Sequence, residues 1–245
     1  LNLEKEIGND EINKFNLILE KRKKKEPVAY ILGKKEFWKT DFIINNSVLI
    51  PRPDTEILIE QSLKQYKNNN ISVLDIGTGS GCILISLLKE KKKWFGTGID
   101  LSKEAIKLAK INAKIQHVEN RITFVHSDID KFFVNKYDLI ISNPPYISRY
   151  GLSILEEDVK DFEPKIALDG GNDGFSEIKK IVRRSSELIK IKGKLILEIG
   201  EDQFYKTSSL LIQHGFYINQ VSKDLAGKKR CIMSTKIWMM RNFKN

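Results

Sequence analysis

Short apolar runs alternate along most of the chain with longer segments in which apolar residues recur at helical spacing. Runs of this kind are typical of strands covered on both faces, and the amphipathic segments are typical of the covering helices. The predicted strands are SVLDIG, WFGTGID, ITFVHSD, YDLIISN and GKLILEIG. The predicted helices are GCILISLLKEKKK, SKEAIKLAKINAKI, GFSEIKKIVRRSSELIK and DQFYKTSSLLIQHG. This alternation predicts a doubly wound, mostly parallel α/β sheet with helices on both faces.

The last part of the chain departs from the alternation. FYINQVSKD and KRCIMSTKIW have the composition of two strands joined by the turn-like LAGK. We expect this C-terminal hairpin to add antiparallel pairing to the sheet.

The first part of the chain is organised differently. Residues 11–25 carry Ile12, Phe15 and Leu19 at helical spacing, which predicts one helix. PVAYILGKKEFW and TDFIINNSVLIPRPDTE are predicted to form short strands with a turn near Asn45–Asn46. DTEILIEQSLKQY then predicts a helix capped by Asp54 or Thr55.

The polar break KNNN separates these two parts. We therefore expect an N-terminal helical and β-hairpin region over residues 1–68, on the substrate side. The sheet domain is expected over residues 69–245.

Composition narrows the class of protein. The 245 residues are 41% hydrophobic and 30% charged, and no apolar run approaches the ~18 residues of a membrane helix. Without a charged-then-apolar leader, and with only Cys82 and Cys231, the sequence predicts a cytoplasmic protein without a disulfide scaffold or membrane contact. The three histidines lack metal-ligand spacing, so no metal is expected. The net charge of +10 arises mainly from lysine and gives weak support for an anionic partner.

A glycine turn marks the first candidate site. In VLDIGTGSG, glycines at 77, 79 and 81 permit a tight strand-to-helix turn that lets a ligand approach bare backbone. A phosphate-binding P-loop would need Gly-Lys-Ser/Thr, and the dinucleotide fingerprint would need glycine in place of Cys82. The turn and its preceding acid look instead like the first motif of S-adenosylmethionine-dependent methyltransferases. The plain alternative is a turn that only connects strand and helix.

Acidic residues follow the next two predicted strands. Asp100 ends GTGID, where a carboxylate can accept hydrogen bonds from ribose hydroxyls, and Asp128 ends HSD, where it can contact an adenine amino group or simply be solvated. The candidate cofactor-binding residues are Asp75, Gly77, Thr78, Gly79, Ser80, Gly81, Asp100, Leu101, Asp128, Ile129 and Asn143.

The tetrapeptide Asn143–Tyr146 (Asn-Pro-Pro-Tyr) is the candidate catalytic site. The Asn143 side-chain oxygen and main-chain carbonyl can accept hydrogen bonds, and Pro144 and Pro145 fix the local backbone. Tyr146 can lay its ring against a flat group. Together they predict a grip on a planar amino group by its two hydrogens, which turns the nitrogen lone pair toward an incoming methyl group. A turn that merely ends a strand is the alternative.

These motifs, with PVAYILGKKEFW, LIPRPDTE, FEPKIALDGGNDG, LEIGEDQ and KDLAGKKR, resemble the release-factor glutamine methyltransferase family, also called PrmC or HemK. The resemblance runs from about residue 20 to residue 238. It implies a Rossmann-like methyltransferase that uses S-adenosylmethionine to methylate the glutamine of the Gly-Gly-Gln loop in class-one release factors. It also implies that Asn143 to Tyr146 hold that glutamine and that Arg52, Pro53 and Glu56 border the substrate entrance.

Two features depart from the family. Its N-terminal helical bundle is longer than the single helix predicted here, which bears on release-factor docking. The family often has an aromatic residue after the SD that ends the third strand of the sheet domain, where this chain has Ile129.

Two other function classes remain at this point. The first is a nucleic-acid amino-methyltransferase, which Asn-Pro-Pro-Tyr and the positive charge favour. It would need a recognition segment, and no inserted basic–aromatic domain is evident, so we expect no direct nucleic-acid binding. The second is a cofactor-binding protein without catalysis, against which the intact Asn143 argues. We expect a monomer.

Overall fold

The computed structural model describes residues 8–66, 70–134 and 136–237. The α-helices are α1 Asn9–Lys23, α2 Val28–Leu32, α3 Glu56–Gln65, α4 Cys82–Glu90, α5 Lys103–Ile115, α6 Arg149–Ser153, α7 Glu157–Phe162, α8 Ser176–Leu188 and α9 Phe204–Gln213. The strands are β1 Lys34–Phe37, β2 Thr40–Ile43, β3 Ser72–Ile76, β4 Phe95–Asp100, β5 Ile122–His126, β6 Tyr137–Ser142, β7 Ile189–Glu198, β8 Phe216–Lys223 and β9 Lys229–Lys236.

Seven strands form the main sheet, in the order β5-β4-β3-β6-β7-β9-β8. The five strands from β5 to β7 run parallel, and β9 pairs antiparallel with both β7 and β8. The predicted doubly wound sheet with its closing antiparallel hairpin is confirmed. The chain moves outward from β3 to β5 and returns to β6 on the other side of β3, so the carboxyl ends of β3 and β6 flank the switch point where such sheets bind ligands.

Helices cover both faces of this sheet. Leu139 and Ile141 of β6 belong to a buried cluster with residues of α3, α4 and α5. Ile140 points to the opposite cluster, which contains buried residues of α8 and α9. Because side chains alternate along a strand, the continuous apolar run of β6 serves both faces. The carboxyl edge of the sheet is thereby held rigidly between two cores.

The N-terminal part differs from its prediction. Val28–Leu32 is a short helix, and the β1–β2 hairpin turns at Trp38 and Lys39, where the φ angles are +46° and +63°. Two consecutive residues at positive φ are typical of the tight turns that match strand twist, but Trp-Lys lacks the Asn-Gly signature that predicts them. The predicted turn near Asn45–Asn46 exists, but it leads into an extended segment over 48–52 that forms no strand.

The β1–β2 hairpin packs against the sheet domain. Phe37 and Phe42 are buried in the same cluster as α4 and α5. Asn112 of α5 exchanges hydrogen bonds with the backbone of Ile43 at 2.8 and 2.9 Å and also donates to the Ser80 carbonyl at 2.9 Å. The hairpin is thus tied to the glycine turn. The predicted domain boundary at 68/69 falls within 67–69, outside the described residues.

Other predicted ends are close to those observed. The first helix begins at Asn9 and ends at Lys23, and Ser102 caps α5 by accepting from the Ala105 N–H at 3.1 Å. Thr55 occupies the N-cap position of α3, but its side chain makes no capping hydrogen bond. No helix in the described ranges is both long and apolar enough to cross a membrane.

Candidate active site

A cavity of about 330 Å³ opens at the carboxyl ends of β3, β4 and β6. Its size falls in the range of small-molecule sites. Residues of the glycine turn, the Asn143–Tyr146 loop and the N-terminal segment before α3 form its walls. The topology therefore brings the two predicted motifs together, although 66 residues separate Gly77 from Asn143 along the chain.

The glycine turn adopts a conformation that favours glycine at each of its three glycines. Gly79 has φ +55°, and a Cβ there would meet no atom within 4 Å. Gly81 has φ +81° and precedes α4, and a Cβ there would lie 2.8 Å from the Ile85 Cδ1. Gly81 thus lets α4 pack closely, whereas Gly79 leaves space for a ligand beside bare backbone. The first turn of α4 also lines the cavity, at Cys82 and Ile83.

Asp75 lies beneath the turn rather than on the cavity wall. Its Oδ2 accepts a hydrogen bond from the Thr78 hydroxyl at 2.7 Å. Burial raises the pKa of Asp75 to about 7. Its position is that of a support for Thr78, which does line the cavity with Gly77, Gly79 and Ser80.

Asp100 lines the cavity at the end of β4. Its carboxylate accepts from the Gly79 N–H and the Ser102 N–H, each at 2.8 Å. Burial raises the pKa of Asp100, and hydrogen bonds from backbone N–H groups oppose that shift. Each oxygen keeps a second lone pair that can accept from a ligand hydroxyl. Leu101 lies beside it on the wall.

Another part of the cavity wall combines acidic and apolar side chains. Asp128 accepts from the Asp130 N–H at 2.9 Å and lines the cavity with Ile129. Glu177 and Ile181 of α8 complete this wall, and the sequence reasoning missed both. Both residues lie on α8, which the sequence predicts from the spacing of its apolar residues. That spacing does not show which helix residues lie near the carboxyl end of a strand.

Asn143, Pro144 and Pro145 line the cavity where β6 ends. The Asn143 side-chain Nδ2 donates to the Thr55 hydroxyl at 3.1 Å. The Thr55 hydroxyl in turn donates to Glu198 Oε2 at 2.7 Å. Thr55 also lines the cavity, whereas Glu198, at the end of β7, is 1% exposed. Sequence reasoning assigned Thr55 only a capping role and gave Glu198 none.

Tyr146, expected to lay its ring against a flat group, contacts Glu198 and Gln203 in the structure. It is absent from the cavity wall formed by the described residues, and its hydroxyl donates to Glu198 Oε1 at 3.2 Å. The Tyr146 carbonyl accepts from the Gln203 side chain at 3.1 Å. Burial raises the pKa of Glu198 to about 7.

The residues predicted at the substrate entrance divide into two groups. Arg52 lines the cavity and forms an ion pair with the buried carboxylate of Glu163. Glu56 does not line the cavity, because its carboxylate accepts from the Trp38 N–H at 2.8 Å and closes the β1–β2 turn. Pro53 begins the short 3₁₀ turn Pro53–Thr55 before α3. The entrance position of Glu56 stays a prediction.

Two further wall segments were not predicted as part of the site, although both overlap stretches that carry the family resemblance. They are the backbone-rich stretch from Ser47 to Pro51 and a part of the loop after β6, from Ile166 to Asp169. Their contact with the cavity depends on long-range packing, including the Arg52–Glu163 pair that joins them.

The residues present fit a nucleoside cofactor. An acidic side chain, bare glycine backbone and apolar walls converge on one cavity, as recognition of ribose, a charged amino-acid tail and a flat base requires. In the described ranges no cluster of three His, Cys, Asp or Glu side chains is placed to hold a metal ion.

Comparison with known proteins points to one family. Residues 53–159 match the Methyltransferase small domain, and residues 1–33 match the PrmC N-terminal domain. The fold resembles that of a methyltransferase from Pyrococcus furiosus, with a TM-score of 0.62 and 17% identity over 92% of this chain and 99% of that chain.

Curated relatives extend the match to nearly the whole chain. The bifunctional methyltransferase of Rickettsia bellii is 38% identical over 99% of this chain, which spans about half, 49%, of that relative. The release factor glutamine methyltransferase of Fusobacterium nucleatum is 40% identical over 98% of this chain and 69% of its own length. These matches support S-adenosylmethionine as the cofactor and do not favour the nucleic-acid alternative. The chain belongs to the release factor glutamine methyltransferase family.

Proposed function

We propose that this protein transfers a methyl group from S-adenosylmethionine to the side-chain amide nitrogen (N5) of the glutamine in the Gly-Gly-Gln motif of peptide chain release factors. The observation that carries the proposal is the position of Asn143. The side-chain NH2 of Asn143 donates a hydrogen bond to Thr55, and Asn143 lines the cavity beside the glycine turn. An acceptor oxygen is thus available where an amide NH2 group has to be held.

The glycine turn and its neighbours would hold the cofactor. Backbone at Gly77 to Ser80 and the Asp100 carboxylate are the polar contacts, and Ile129 and Ile181 are the apolar ones. Asp75 and Gly81 support this surface from beneath. When bound, S-adenosylmethionine supplies an electrophilic methyl group on its sulfonium sulfur.

The grip on the substrate amide has a chemical purpose. An amide nitrogen is a poor nucleophile because its lone pair is delocalised into the carbonyl group. When the Asn143 side-chain oxygen and main-chain carbonyl accept its two N–H hydrogens, the amide plane is fixed so that the nitrogen lone pair, perpendicular to that plane, faces the methyl group. The same acceptors stabilise positive charge on the nitrogen, which becomes acidic and releases a proton to water.

Pro144 and Pro145 keep these acceptors in place, because proline restricts φ and so reduces the entropy lost on binding. Tyr146 contributes from behind the loop, through its bond to Glu198, rather than by direct contact. Arg52 borders the entrance with its guanidinium turned toward Glu163. Residues 1–68 are proposed as the substrate-side region.

The cellular setting follows from the same proposal. Class-one release factors act in the cytoplasm, and Cys82 and Cys231 are both free and buried, as in proteins of a reducing compartment. We expect the enzyme to act as a monomer on the release factor.

Methyl transfer from labelled S-adenosylmethionine tests the proposal. The acceptors are release factor, release factor with the Gly-Gly-Gln glutamine replaced by alanine, and nucleic acid. Label is expected only in unaltered release factor. Label in nucleic acid with none in release factor would contradict the proposal and favour an amino-methyltransferase acting on bases.

A further inference from the structure

A buried chain of hydrogen bonds lies behind Asn143. It runs from Glu198 at the end of β7, through Thr55 before α3, to the side chain at the end of β6. We infer that Thr55 and Glu198 are positioning residues that fix which end of the Asn143 amide faces the cavity. The inference rests on the proposed function, because it concerns the acceptor that holds the substrate amide.

The direction of each hydrogen bond follows from the chemistry of the groups. When Glu198 is ionised, its carboxylate only accepts, so the Thr55 hydroxyl donates its single proton to Glu198 Oε2 at 2.7 Å. Toward Asn143 the Thr55 oxygen can then only accept. The Asn143 atom 3.1 Å from it is therefore the NH2 nitrogen, and Oδ1 is left for the cavity that Asn143 lines.

This orientation decides whether the site can work. The oxygen and nitrogen ends of an amide side chain have nearly the same size, so packing alone does not select one. With NH2 toward the cavity, Asn143 would present a donor to the donor NH2 of the substrate. The hydrogen-bond chain excludes that arrangement because it would set Oδ1 against the Thr55 lone pairs.

The Thr55 hydroxyl bonds to Glu198 and does not cap the helix that follows it. Thr55 occupies the N-cap position of α3, where a threonine hydroxyl ordinarily accepts from an N–H of the first turn. Here the side chain makes no capping bond and is 3% exposed, turned into the chain of hydrogen bonds. The Thr55 hydroxyl therefore makes long-range hydrogen bonds in place of a local capping bond.

Burial of the Glu198 carboxylate is unfavourable for stability unless the group has a further role. Glu198 is 1% exposed, and both of its oxygens accept from hydroxyl groups, those of Thr55 and Tyr146. A buried carboxylate is more expensive to keep than an apolar side chain of similar volume. Its two bonds reach both ends of the tetrapeptide, Asn143 through Thr55 and Tyr146 directly, so one group aligns the whole loop.

The test compares Thr55→Val, which keeps the shape and removes the hydroxyl, with Thr55→Ser, which restores it. Thr55→Val is expected to lower kcat about tenfold or more, with KM for release factor within about twofold, as for an interaction needed in the transition state. Thr55→Ser is expected to recover most of the loss. Thr40→Val is the matched control, since Thr40 is also buried and its hydroxyl accepts from Lys89, away from the cavity wall.

A second readout does not depend on turnover. The side-chain NH2 of Asn143, assigned in NMR spectra by its loss in Asn143→Ala, is expected to exchange slowly with water in the wild type and in Thr55→Ser, and at least about tenfold faster in Thr55→Val. Unchanged kcat in Thr55→Val, failure of serine to recover the rate, or unchanged NH2 exchange would each overturn the inference. If the wild type does not methylate release factor, the proposed function fails, and the NH2 exchange still decides the role of Thr55.

Discussion

The guanidinium of Arg52 pairs with the buried carboxylate of Glu163, whose side chain is 1% exposed. Glu163 also accepts a hydrogen bond from the Ile50 N–H at 3.2 Å. One carboxylate from the loop after β6 thereby holds the segment before α3, and both segments contribute residues to the cavity wall. Arg52 is thus part of the frame of the entrance.

Removal of Arg52 should therefore destabilise the fold. Arg52→Ala leaves Glu163 buried without its cation, and because Arg52 itself is 37% exposed we expect a loss of ~1–3 kcal/mol in the free energy of unfolding, below that of a fully buried pair. Denaturant unfolding measures it. Lys34→Ala is the control, since both side chains of the Lys34–Asp41 pair are exposed and its loss should have little effect on the free energy of unfolding. Equal losses of unfolding free energy in Arg52→Ala and Lys34→Ala would show that the Arg52–Glu163 pair does not hold the two wall segments together.

Gly79→Ala should weaken cofactor binding selectively. A Cβ at Gly79 would project into free space beside the Asp100 contact, where the cofactor is proposed to lie. We expect about tenfold or greater loss of affinity for S-adenosylhomocysteine, measured by calorimetry. Gly227→Ala is matched in conformation, with φ +78° and open surroundings, but lies in the turn between β8 and β9. Both variants should lose ~1–2 kcal/mol of stability from strain, and only Gly79→Ala should lose binding.

Asn143→Ala should separate binding from chemistry. The variant loses the side-chain acceptor but leaves the glycine turn intact, so cofactor affinity should be unchanged while kcat falls at least about tenfold, equivalent to ~1.4 kcal/mol. Asn219→Ala, on the exposed face of β8, is the control. Normal turnover by Asn143→Ala would show that the side chain does not hold the substrate amide.

The sequence predicted the parts of the site that depend on local pattern. Gly77 to Gly81, Asp100 and Asn143 stand at strand ends, and strand ends of a parallel sheet meet at one edge, so their convergence could be foreseen. The Trp38–Lys39 turn could not, because neither residue favours positive φ.

The support behind the site was also beyond sequence reasoning. Thr55 contacts residues 88 and 143 positions away, and nothing local distinguishes it from a capping threonine. Tyr146 was expected to lay its ring against a flat group, and its contact with Glu198 was not foreseen. Glu56 accepts from the Trp38 N–H, which lies 18 positions earlier in the chain. Tertiary hydrogen bonds of this kind leave no periodic signal.

Glu198 makes stability depend on pH. Burial raises its pKa from 4.5 to about 7, with hydrogen bonds from Thr55 and Tyr146 and the charge of Arg230 opposing the shift and Asp54 adding to it. Between those values the folded state keeps a proton that the unfolded state releases, so stability falls as pH rises from about 4.5 to about 7 and is level above.

Glu198→Gln removes this ionisation. The free energy of unfolding of the wild type relative to Glu198→Gln should decrease by on the order of 3 kcal/mol across that pH range, as measured by denaturant unfolding. Asp75, whose pKa is also raised by burial, is present in both proteins and cancels in the difference. A constant difference from pH 4.5 to pH 7 would show that Glu198 ionises as readily in the folded state as in the unfolded state.

The most direct test of the account is the site of methylation. Release factor incubated with the enzyme and S-adenosylmethionine is digested, and the peptide containing Gly-Gly-Gln is sequenced by mass spectrometry. We predict one methyl group on the side-chain nitrogen of that glutamine with the wild type, and far less with Asn143→Ala. A methyl group on any other residue, or an unmodified glutamine after incubation with active wild-type enzyme, would contradict the account.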